Sequence, residues 1–185
     1  MTSVYSDLSF SMRVKIGTVS GLVGGFAIFL SIFMIDLSLD AGQGTFYKVV
    51  GMPFGVSGIQ ATLIGMVCHM LTATLIGTIF SICSGIHPKL HVFSLGRGIL
   101  AGMTVGLTVF FVFFVPISNV LMIPLIQSNN DVAVIGDAAN LLANTNLIML
   151  GALELHIVYG IVMGTFFAIA VQYEFKKQKI LEVST

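Results

Sequence analysis

Two histidines and one glutamate hold most of the chemistry this chain can offer. His69 and His156 each sit deep inside a long apolar run. A neutral imidazole ligates iron or a transition metal, and its charge changes near neutral pH. Facing each other, the two rings suit the axial positions of one haem b, a metal ion, or a proton-linked pair. They also suit plain packing, with each ring bonded to a carbonyl or hydroxyl on a neighbouring helix. Thr72, Thr74, Thr78 and Tyr159 are the nearest candidate partners. Glu154 lies two residues before His156, which turns it to roughly the opposite helix face. A carboxylate at membrane depth must be protonated, paired, or turned toward another subunit.

Other chemistry is sparse. No Walker loop, HExxH, GxSxG or CxxC motif occurs, so no catalytic residues are assigned. Cys68 and Cys83 lie in an apolar run and read as small packing thiols. The ten methionines are scattered and form no copper array. His87 and His91 are four apart, but Pro88 between them indicates a solvated turn. No arginine lines an apolar run, so no anion pore is indicated.

The elements that must position these residues follow from composition. The chain has 185 residues, 56% hydrophobic and 9% charged, with a mean hydropathy of +1.03 and zero formal net charge. A soluble domain needs about 25% charged residues to keep its surface wet. A soluble enzyme, a nucleic-acid binder and a disordered chain are therefore excluded, and a single integral membrane domain over 1–185 is expected. Four apolar segments stand out, at about 16–35, 57–83, 98–115 and 147–171. Each is about long enough to span roughly 30 Å of hydrocarbon as a helix. Pro116 is expected to kink or end the third.

Two outer loops, 36–56 and 116–146, and one inner loop, 84–97, connect the segments. Asp137 reads as the N-cap of a short helix in the second outer loop. Val4, Tyr5, Leu8 and Met12 suggest a short interfacial helix at the start. Arg13, Lys15, Lys89, Arg97, Lys176, Lys177 and Lys179 fall on one side of four spans, and only Lys48 on the other. Both termini are thus expected in the cytoplasm. The opposite face would carry Asp36, Asp40, Asp131 and Asp137 as an acidic surface.

The segments also repeat. Gly17, Gly21, Gly25, Phe29 and Phe33 are four apart, as are Gly98, Gly102, Gly106, Phe110 and Phe114. His69, Gly77, Thr78, Phe80 and Ile82 match His156, Gly164, Thr165, Phe167 and Ile169 in spacing. The chain reads as a duplicated two-helix hairpin with units at about 16–83 and 97–172. Two-span units insert the same way, so a parallel repeat about an axis along the membrane normal is expected. The fold class is then an all-α membrane four-helix bundle. Gly17, Gly21, Gly25, Gly77, Gly98, Gly102, Gly106, Gly160 and Gly164 would form its helix-packing stripes.

The last helix, with His156, Tyr159 and Gly160, resembles small uncharacterised four-span membrane families that end in a His-x-x-Tyr-Gly helix. The resemblance implies a fold and transfers no activity. Few charges, short loops and Glu154 point to a non-catalytic membrane subunit packed within a larger complex, respiratory or oxygenase in type. Its partners would be the lipid bilayer and other membrane subunits, with no nucleic acid. The alternatives are a haem b electron carrier through His69 and His156, and a small channel or transporter for a cation or neutral solute.

Overall fold

The computed structural model describes residues 8–128 and 139–184. Asp131 and Asp137, with the expected cap at Asp137, and Val4 and Tyr5 lie outside the described residues. Four helices are long and apolar enough to cross a membrane: α1 (Phe10–Ser38), α3 (Gly58–Ile86), α4 (Leu95–Ser128) and α5 (Thr145–Ser184). A short helix, α2 (Thr45–Gly51), lies between α1 and α3. The protein is an all-α, multi-pass membrane protein. Ser9 starts α1 by accepting the Met12 N–H at 3.2 Å, and Ser94 starts α4 by accepting that of Arg97 at 3.4 Å. At 1.5 Å per residue, α1 and α3 are each about 44 Å long and outreach the hydrocarbon.

The helices bury small residues and expose large ones. Along α3, Ala61, Gly65, Ala73, Gly77 and Ser81 are buried. Leu63, Val67, Leu71, Leu75 and Ile79, also four apart, are exposed. In water this arrangement would aggregate. In lipid, large apolar side chains lose nothing by facing outward, and small ones let backbones approach.

Two hairpins result. In the first, α1 packs on α3, with Gly17 against Gly77 and Ser81, and Gly21 against Ala73 and Gly77. In the second, α4 packs on α5, with Gly98 against Gly164 and Ala168, and Gly102 against Gly160 and Gly164. A Cβ at any of these glycines would overlap the facing helix, usually its backbone. Thr18 and Thr78 add a hydroxyl–hydroxyl bond of 3.0 Å across the first hairpin. The hairpins join through α1 and α5, where Gly24 packs on the Tyr159 ring. The Tyr159 hydroxyl donates to the Ala73 carbonyl at 2.7 Å, and the Phe80 and Phe167 rings meet edge to face at 5.1 Å. Between α3 and α4 there is no comparable packing.

Two expectations change. The third span does not end at Pro116, and residues 116–128 are helical. Two π-helical segments, Phe110–Phe114 and Ser118–Met122, flank a short α-helical stretch that has Pro116 in its first turn. A π turn widens the helix, so a residue with no N–H and a bulky ring fits without a break. Asp36 is not on an acidic outer surface. It is fully buried near the end of α1. Arg13 is buried too, packed beside Gly85 near the C-terminal end of α3, where helix carbonyls favour a cation. Its Nε donates to the Leu8 carbonyl at 3.2 Å.

Candidate functional site

His69 lies eleven residues into α3, and His156 eleven residues into α5. Both line one cavity of about 240 Å³ between the hairpins. Below it, toward the 87–94 connection, Phe80, Met163, Phe167 and Val171 fill the core. Above it, Met122, Val49, Ile126 and Leu141 close the end that holds α2. The cavity therefore lies where the glycine stripes have given way to phenylalanine.

Aromatic rings hold each imidazole. Phe29 and Tyr47 flank His69, with ring centres 6.5 and 5.6 Å away. Phe110 and Phe114 flank His156 at 5.6 and 5.1 Å. The Nδ1 of His156 bonds the Ala152 carbonyl, one turn back, at 2.6 Å. A carbonyl can only accept, so Nδ1 carries the proton, and in the neutral ring Nε2 is a bare acceptor. The Nε2 of His69 is buried without a hydrogen bond. Neither ring bonds a threonine. Thr74 and Thr78 donate to carbonyls of their own helix, and Tyr159 ties α5 to α3 in their place.

Tyr47 is a site residue that the sequence did not announce. It is fully buried on α2, with its backbone against Gly65 of α3. Its hydroxyl donates to the Phe29 carbonyl at 3.1 Å. Burial pushes its phenol well above the usual range, with the Asp36 charge adding to the effect. Asp36 fastens α2 in place by accepting the N–H groups of Gly44 at 2.9 Å and Phe46 at 3.2 Å. One signal was available. The small stripe of α3 continues to Gly65 and Ala61, while the matching face of α1 has turned to Phe29 and Phe33. Those small residues needed another backbone to receive, and α2 supplies it through Tyr47 and Gly51.

A haem does not suit this space. The cavity is smaller than the 300–1,000 Å³ of ordinary small-molecule sites, and four aromatic side chains already lie against the imidazoles. Among the described residues no cluster of His, Cys, Asp or Glu could hold a metal ion. Cys68 and Cys83 are free thiols, and Cys68 lines the cavity.

Glu154 is exposed on the outer face of α5, away from the cavity. It shares a ridge with exposed Leu147, Leu150 and Val158. No hydrogen bond or ion pair holds its carboxylate among the described residues. Between α3 and α4, His87 is exposed but His91 is buried, unlike the solvated turn expected of both. Burial lowers the titration of His91, and Arg13 and His87 lower it further.

Compared with known proteins, the chain matches no family model, no curated relative and no solved structure. Fold and site together define a four-span helical membrane protein with a histidine-lined cavity and, within a span, the exposed carboxylate of Glu154.

Proposed function

We propose that this chain is a non-catalytic subunit that packs, through the outer face of α5, within a larger membrane assembly. The observation that carries the reading is exposed Glu154 at membrane depth on a ridge of Leu147, Leu150 and Val158. A carboxylate facing lipid is costly, whereas one facing a donor on a neighbouring helix is satisfied. The partner would present a lysine, arginine or amide side chain at that depth. Both termini would lie in the cytoplasm, following the placement of lysine and arginine.

Descent from one duplicated hairpin belongs to the same reading. Its support is register. Gly17 meets Gly77 as Gly98 meets Gly164, and Gly21 meets Ala73 as Gly102 meets Gly160. Phe29 touches His69 as Phe110 touches His156. The apolar walls of the cavity weigh against a cation path. Gentle purification from native membranes, followed by native electrophoresis, tests the proposal. The chain should migrate with other polypeptides, and Glu154→Leu should release it. Migration only as a free monomer or homo-oligomer would reject the proposal.

A further inference from the structure

The cavity between the hairpins has a shape and a polar pattern that select a ligand. It opens sideways where α3 and α4 do not pack, past Thr72 and Ile76 on one side and Val109, Phe113 and Ile117 on the other. Thr72, Phe113 and Ile117 are exposed, so the mouth faces lipid. A ligand would enter from the bilayer.

The walls are apolar except at the two histidines, the Thr72 hydroxyl at the mouth, the Cys68 thiol and the Tyr159 hydroxyl, which already serves the Ala73 carbonyl. Unsatisfied polar groups at this depth cost several kcal/mol, because hydrocarbon offers no replacement partner. Nε2 of neutral His156 needs a donor, since Nδ1 already serves Ala152. His69 has a buried nitrogen without a hydrogen bond. A hydroxyl can donate to the open Nε2 of His156, whereas the His69 Nε2 is closed off by its own neighbours. A carbonyl alone leaves His156 unserved.

Size and shape complete the argument. A dry cavity of about 150 Å³ takes benzene. This one, at about 240 Å³, has room for a single substituted ring. Phe46, Phe113, Phe114 and Tyr159 line it with flat surfaces, which suit another flat ring.

We propose that the cavity binds the ring of an uncharged, membrane-dissolved phenol or quinol. Its hydroxyl donates to Nε2 of His156, and its hydrocarbon tail leaves between α3 and α4.

The test uses the full chain, labelled with ¹⁵N in its histidine rings, in phosphatidylcholine nanodiscs. The probe is decylubiquinol kept reduced under nitrogen. The ring nitrogens of His69 and His156 should shift saturably, while those of His87 and His91 stay fixed. Decylubiquinone has no hydroxyl and should bind about tenfold more weakly, as expected for one lost hydrogen bond. His156→Phe keeps a ring but removes the acceptor, and should lose a similar factor. Thr72→Phe at the exposed mouth should block entry without changing helicity. Shifts shared by all four histidines, or binding unaffected by Thr72→Phe, would overturn the proposal. So would equal affinity for the quinone, or lauric acid binding as tightly as the quinol.

Discussion

The two hairpins agree in the halves nearest the 87–94 connection and part company at the histidines. Below that level both are glycine-lined crossings whose contacts occur in the same register. Above it, the first hairpin is closed by a separate helix, α2, which inserts Tyr47 beside His69. Among the described residues the second has no such insert. Its α4 widens into two π-helical segments, the first of which carries Phe110 and Phe114 to His156. Two solutions to covering a histidine leave unequal space between them, and the cavity is that space. Close glycine packing thus holds one half, and the histidines with their cavity occupy the other.

The largest effects should come from breaking what the hairpins share. Gly21→Leu and Gly102→Leu each force a side chain into the facing helix, and each should cost about 3 kcal/mol of stability. Gly96→Leu in α4, which has open space beside it, should cost little. Steric-trapping unfolding of the three variants checks the contrast. Equal tolerance at all three sites would dissolve the likeness of the two crossings.

Asp36→Ala sharpens the difference. It leaves the N–H groups of Gly44 and Phe46 without their acceptor and should cost about 1–3 kcal/mol. The loss should appear as faster amide exchange in α2, with α4 unchanged. A smaller effect is expected at the joint. Tyr159→Phe removes one bond to the Ala73 carbonyl, worth about 0.6 kcal/mol inside a membrane bundle.

The smallest concerns His91. Its folded state prefers the neutral ring, so the unfolded chain takes up more protons as pH falls through about 6.5. Stability should therefore decline on acidification. His91→Gln should flatten that decline in a thermal unfolding series.

The four spans were legible because hydropathy and length alone define them. The faces were legible too, because small residues recur every four positions. Legibility failed where one residue's role depends on a distant partner. Asp36 reads as a loop carboxylate until α2 folds back to offer it two N–H groups. Tyr47 has no periodic partner, and only the surplus stripe at Ala61 and Gly65 hints at it. Pro116 reads as a kink or a stop because ordinary α-helical geometry rejects proline, whereas a π turn does not. His69 and His156 were legible as a pair. Their shared cavity was not, because it arises from the mismatch between hairpins rather than from either one.

The most direct test of the account is a site-specific photo-crosslink in native membranes. Benzoylphenylalanine at position 154 should attach this chain to a different polypeptide. The same group at position 75, on the exposed ridge of α3, should capture lipid alone. Lipid adducts from both positions would contradict the account and leave Glu154 a carboxylate facing the bilayer.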